Sequence, residues 1–172
     1  MVFMALVGMI AVGTLIGASH RMHLKVVDQM VRDIDAISGT AWKMKRVFGS
    51  LTAVAGGDRL ISNAFSSSPP VRGATANIYR HPLEGFTTVS TSATAVTLSI
   101  AGLTLQDCTD FLFRIDGQKW AIVRVNGTAT TVLKSNTTSP YAGDITAGLS
   151  GLADACNNAG NGRTVYMERR LQ

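Results

Sequence analysis

Before Arg21 the chain has no charged side chain. The block Met1 to Ala18 is apolar almost throughout, interrupted only by Thr14 and the glycines Gly8, Gly13 and Gly17. As an α-helix it would be about 27 Å long at ~1.5 Å per residue, close to a hydrocarbon core of roughly 30 Å. Such a segment must leave water, so the expectation is a helix held in a membrane or packed among other copies of itself. The remaining residues have an ordinary soluble composition. With 46% hydrophobic and only 16% charged residues over 172 positions, the chain is long enough for one folded domain and too apolar to be disordered.

A secretory signal peptide would carry basic residues ahead of its apolar core and a small-residue cleavage site after it; here Arg21 and Lys25 follow the block and the apolar run continues into a charged helix. The positive-inside rule alone would leave everything beyond them in the cytoplasm. Cys108 and Cys156 point the other way, an even pair in a region rich in Ser, Thr, Asn and Gly of the kind found outside the cytoplasm. A basic leader that once preceded Met1 and was removed reconciles the two, and makes Met1 the expected mature N-terminus.

Beyond Ala18 the apolar positions Val27, Met30, Val31, Ile34, Ile37, Ala41, Met44, Phe48 and Leu51 recur at steps of three and four, the period of one helix face. Charges fill the complementary positions, with Asp28 and Arg32 spaced i,i+4. Gly56-Gly57 is the first clear stop signal, which predicts one helix over residues 1–56: an apolar segment over 1–19 and an amphipathic stem over 20–56. Val27, Val31, Ile34, Ile37 and Phe48 are expected to pack the stem on a globular head. Phe3, Met4, Ala5, Gly8, Gly13 and Gly17 are the candidate packing surface of the apolar segment, because small residues let apolar helices approach closely and Met adapts to irregular gaps.

The head spans 57–172. Residues 57–85 read as a loop with a short helix at Asp58 to Phe65. Phe86 to Ser90 and Ala95 to Ile100 read as strands around the turn Thr91-Ser92-Ala93-Thr94, and Leu103 to Phe113 as a helix. Lys119 to Val125 and Thr128 to Leu133 form an expected hairpin around Asn126-Gly127; Asp144 to Ala155 reads as a helix and Thr164 to Leu171 as a last strand. The sum is an α+β head, an antiparallel sheet with helices on one side, on a long helical stem. Cys108 and Cys156 bound the region 108–156. A bond between them would tie the last strand to the sheet; two buried free thiols are the alternative, and a metal site is disfavoured because neither cysteine has a neighbouring Cys or His at ligand spacing.

Signals of chemistry are weak. Gly148-Leu149-Ser150-Gly151 lacks the residue a nucleophile elbow needs between its serine and second glycine, and Gly160-Asn161-Gly162 lacks the third glycine of a dinucleotide fingerprint. His20 and His23 sit at i,i+3 without a carboxylate nearby in sequence, so neither metal nor other cofactor is expected. The net charge of +5 raises the question of nucleic acid. The aromatic neighbours of the basic clusters, Trp42, Phe48 and Tyr166, are more simply core residues, so direct nucleic-acid binding is not expected. Asp28, Arg32, Asp33, Asp35, Lys43, Lys45 and Arg46 are instead candidate intersubunit charges, with Asp107 and Asp110 as possible acidic partners.

Three features in one order carry a family resemblance: the apolar block running into an amphipathic stem, the segment His81-Pro82-Leu83-Glu84-Gly85 before the first strand, and two late cysteines followed by Gly160-Asn161-Gly162-Arg163-Thr164-Val165-Tyr166. Together they resemble the type IVb pilins, particularly those of plasmid-encoded thin conjugative pili. The resemblance implies the type IV pilin fold and a non-enzymatic structural subunit that polymerises with copies of itself into a helical surface filament for attachment, motility or conjugative mating-pair contact. It also implies a stage in the bacterial inner membrane before assembly into the extracellular pilus, removal of the leader by a prepilin peptidase, and methylation of the new N-terminus. The pilus assembly machinery is then a further partner. One departure is marked: such pilins generally carry a glutamate at the fifth mature position, and this chain has Ala5. A minor pilin or a pseudopilin of a type II secretion machine, anchored in the membrane, is the alternative.

Overall fold

The structure, a computed structural model, describes residues 2–51, 56–65, 70–73, 75, 77–126, 131–135 and 149–171, with the side chains of 2–18, 56 and 149 outside the description. Among the described residues four α-helices and six strands follow in the order α1 (Val2–Phe48), α2 (Gly56–Ala64), β1 (Ile78–Arg80), β2 (Phe86–Thr91), β3 (Ala95–Leu103), α3 (Leu105–Arg114), β4 (Ile122–Asn126), β5 (Thr131–Ser135), α4 (Leu149–Asn158) and β6 (Arg163–Arg170). A 3₁₀ turn at Gly117–Lys119 separates α3 from β4.

Helix α1 has 47 residues, roughly 70 Å at ~1.5 Å per residue. It ends earlier than the glycine pair suggested. Gly49 takes φ +73° and its N–H returns to the Lys45 carbonyl at 2.8 Å, a left-handed C-terminal cap that only glycine enters without strain. Lys45 and Arg46 in the last turn face the negative end of the helix dipole. Gly56-Gly57 opens α2 instead of closing α1, and Gly57 is needed there: a Cβ would lie 2.1 Å from the Val89 carbonyl oxygen of β2. The expected loop over 57–85 thus contains a helix and a strand, with β1 joined to Arg72 by an isolated antiparallel bridge at Tyr79.

All six strands form one antiparallel sheet in the order β1-β2-β3-β6-β4-β5. The last strand therefore lies in the interior of the sheet. Along β6, Val165 and Met167 pair with Ile100 and Leu98 of β3 on one side and with Val125 and Val123 of β4 on the other. Alternation divides the two faces. Val96, Leu98, Ile100, Val123, Val125, Val165 and Met167 are buried in one cluster with Val27, Met30, Ile34, Ile37 and Ala41 of α1. Full burial of each such side chain stabilises the fold by ~1.5–3 kcal/mol. On the other face Arg124 lies 3.9 Å over the Tyr166 ring, and both residues are half-buried.

Thr104 starts α3 with a capping box: its hydroxyl accepts from the Asp107 N–H at 3.1 Å, and the Asp107 carboxylate accepts from the Thr104 N–H at 3.1 Å. The expected strand from Lys119 begins only at Ile122, because Asp116 caps the 3₁₀ turn through Gln118 N–H and Trp120 is buried behind it. The expected hairpin partner Thr128 to Leu133 is β5, starting at Thr131, with 127–130 outside the described residues; the helix expected over Asp144 to Ala155 is α4, with 136–148 likewise outside them.

Candidate assembly site

The stem presents three faces. Along the inner one, Val27, Ile34 and Ile37 are fully buried as expected from their spacing, and Val31 packs partly against the same core. Met30 and Ala41 complete the stripe, and both belong to the same three-four period in the sequence. Burial then fades toward the C-terminus of the helix. Met44 is only partly buried, and Phe48, expected in the packing surface, is 57% exposed because the last turn of α1 leaves the core. Trp42 is 37% exposed as well. The aromatic residues beside the basic stem cluster are thus surface groups and not core.

The second face is a polar seam against α3 and the 3₁₀ turn. His23 lies between two carboxylates, with Nδ1 3.6 Å from Asp107 and Nε2 3.0 Å from Asp110. Asp28 pairs with Arg114, and Asp35 with Lys119 at 3.0 Å, which Asp116 also approaches at 3.7 Å. Two candidate intersubunit acids, Asp28 and Asp35, are therefore engaged within the chain, as are Asp107 and Asp110. Asp28 does not pair with Arg32: Arg32 donates to Gln29 at 2.8 Å, and Gln29 donates to Asp33 at 2.7 Å. Burial raises the pKa of Asp33, opposed by the Gln29 hydrogen bond and the Arg32 charge.

The third face points away from the head. Arg32, Lys43 and Arg46 are exposed on it, and among the described residues Lys43 and Lys45 have no carboxylate within ion-pair distance. Arg46 sits 5.2 Å from the Trp42 ring centroid. His20 is exposed and lines a polar cleft with Ser19, His23 and Gln106. Since both ring nitrogens of His23 face carboxylates, it is not available as the second ligand of an i,i+3 pair. No cluster of three potential ligands able to hold a metal occurs among the described residues.

The cysteines are bonded: Cys108 and Cys156 form a disulfide with Cα atoms 5.9 Å apart, and both are fully buried. It joins α3 to α4 and not, as expected, the last strand to the sheet. The chain then turns at Gly160, φ +65°, into β6, where Arg163 Nε donates to the Cys156 carbonyl at 2.8 Å. The segment His81 to Gly85 is a closed turn: His81 N–H donates to the Gly85 carbonyl and Glu84 N–H to the His81 carbonyl, both at 3.0 Å. His81 is 2% exposed, and burial lowers its pKa, opposed by the Ala101 carbonyl and the Asp107 charge.

Met1 and the side chains of Phe3, Met4, Ala5, Gly8, Gly13 and Gly17 lie outside the described residues, so the expected packing surface of the apolar block is carried by the sequence alone. Among the described residues no helix is long and apolar enough to cross a membrane.

No protein-family model and no curated protein sequence matches the chain. Among solved structures it is similar to TcpA, a type IV pilin from Vibrio cholerae El Tor biotype, with a TM-score of 0.55 and 13% sequence identity over 84% of this chain and 99% of that one. The long N-terminal helix, antiparallel sheet and short helices are the type IV pilin fold.

Proposed function

We propose that this chain is a structural subunit of a pilus of the type IVb class, and not an enzyme. The observation that carries the reading is α1 itself. Helix α1 is 47 residues long; its stripe from Val27 to Ala41 is buried in the head, and the same helix carries the apolar block up to Ala18. The pilin fold shared with a solved type IV pilin supports the same reading. In it, the block Met1 to Ala18 is held in the bacterial inner membrane before assembly. It then passes into the filament core, where helices of neighbouring copies replace lipid through Gly8, Gly13 and Gly17. Helical growth requires heterologous contacts that do not close, and an apolar helix rising from a soluble head provides them. The extracellular filament would serve attachment, motility or mating-pair contact.

The test removes Met1 to Ala18. The shortened chain is expected to be a soluble, disulfide-bonded monomer, while the full chain is recovered in sheared surface fibres. Fibres formed by the shortened chain would defeat the proposal. The lack of any acidic residue before Asp28, where such pilins generally carry a glutamate in the apolar block, favours a second reading, a minor pilin or pseudopilin anchored in the membrane. Abundance in sheared fibres separates the two.

A further inference from the structure

The turn His81 to Gly85 joins the edge strand β1 to β2, and beside its two backbone bonds it is held by the ring of its first residue. Nδ1 of His81 accepts from the Leu83 N–H at 3.2 Å. Nε2 lies 3.0 Å from the Ala101 carbonyl oxygen, which can only accept, so Nε2 carries the proton. Both nitrogens are committed, and only the neutral Nε2–H tautomer satisfies them together. Gly85 closes against the same ring and the same carbonyl: a Cβ there would stand 2.5 Å from Nε2 and 2.1 Å from the Ala101 oxygen. Between them Glu84 is held at φ +66°, a strained backbone for a residue with a side chain.

We propose that this turn is an acid-released latch, shut by the neutral imidazole and opened by the imidazolium. A proton on Nδ1 would face the Leu83 N–H donor to donor. The Leu83 N–H to Nδ1 bond is lost, which leaves only the two backbone bonds, His81 N–H to Gly85 and Glu84 N–H to His81, to hold the strained Glu84 in place. The charged groups around the ring are few. Asp107 approaches from α3 and favours the imidazolium, yet its carboxylate is already shared by the Thr104 cap and by His23 of α1. Arg80, at the end of β1, and Glu84, in the turn itself, are exposed. From β3 the Ala101 carbonyl accepts from the ring.

Release stays local. β1 is anchored independently by Tyr79, 1% exposed and 5.6 Å from Phe65 between ring centroids, and by the Arg80 N–H bonded to the Val71 carbonyl at 2.8 Å. What acid frees is therefore the turn, with Leu83 leaving the core edge beside the exposed Phe86. In a surface filament this would let one segment of the head respond to acid while the sheet stays intact.

Hydrogen exchange of the full chain in detergent micelles, corrected for intrinsic rates and followed from pH 7.5 to 4.5, tests it. The opening constant of 81–86 is expected to rise about tenfold per pH unit through the window below the ordinary histidine range, with β3 and β6 still protected. His81→Asn keeps an acceptor for the Leu83 N–H in an Asx-type turn but cannot take up a proton there, and should remove the pH dependence. Unchanged exchange of 81–86 in the parent, or an equal loss in His81→Asn, overturns the latch. If the variant does not fold, the imidazole nitrogen spectrum of the parent decides: an Nδ1–H tautomer at neutral pH, or an imidazolium with the turn still protected, overturns it equally.

Discussion

Arg169, near the end of β6, donates through Nη1 to the buried hydroxyl of Ser38 on α1 at 2.5 Å. The two residues are 131 positions apart and tie the interior strand of the sheet to the inner face of the stem. Ser38 is 0% exposed, so its hydroxyl has no water to fall back on. Arg169→Ala should cost ~1–3 kcal/mol in chemical denaturation, more than Ser38→Ala at ~1 kcal/mol, because only the first leaves a buried polar group unpaired.

Replacing Cys108 and Cys156 together by Ser should lower stability by about 4 kcal/mol by the chain-entropy estimate for a loop of this size. The loss should appear in denaturant melts of the Cys108→Ser/Cys156→Ser variant and, equally, in the parent after unfolding in reductant. A difference below 1 kcal/mol would mean the unbonded chain already holds α3 and α4 together.

Gly85→Ala places a methyl group against backbone that cannot yield, and should destabilise by roughly 3 kcal/mol. Gly162→Ala is the control. A Cβ at Gly162 meets nothing within 4 Å, so its midpoint should stay within ~0.5 kcal/mol of the parent.

His81 sets a direction for stability against pH. Its folded pKa is lowered by burial, so its contribution is fully present above the ordinary imidazole range. As pH falls through that range toward the folded value, the unfolded chain takes up the proton first and the contribution is lost. Denaturation midpoints of the parent should therefore drop between neutral pH and the acid limb, and those of His81→Asn should drop less.

The Asp28–Arg114 and Asp35–Lys119 pairs of the polar seam are rim features, with Asp28, Asp35 and Lys119 each more than a third exposed in their side chains. Asp35→Asn should cost less than ~1 kcal/mol, and the difference should shrink in high salt. A loss of several kcal/mol would mark the seam as a principal support of the stem.

Some of this was legible in residue spacing and some was not. The stripe Val27, Met30, Ile34, Ile37, Ala41 is periodic, so the face that enters the core could be read directly. The end of the helix could not: the Gly56-Gly57 pair is the clearer stop on paper, and what ends the helix at Gly49 instead is a backbone angle there, while Gly57 is required by the nearness of Val89. Asp28 was matched to Arg32 because sequence offers only neighbours one turn away; the structure gives it Arg114, 86 positions distant. For the same reason the cysteine pair was readable but not the two helices it joins. Phe48 and Trp42 followed the helix period or the apolar pattern and still ended exposed, since a period says which way a side chain points and not where the head stops. Strand β1, three residues long, exists through its pairing with β2 and has no signal of its own.

The interior position of β6 bears on how the protein is made. The other five described strands all precede Arg163–Arg170 in the chain. Until it arrives, β3 and β4 each present an unpaired edge, the kind of surface that recruits strands from other chains. A chain broken off early cannot close its sheet and stays a target for chaperones and proteases. Strand order thus acts as a proofreading step: only full-length heads become closed sheets.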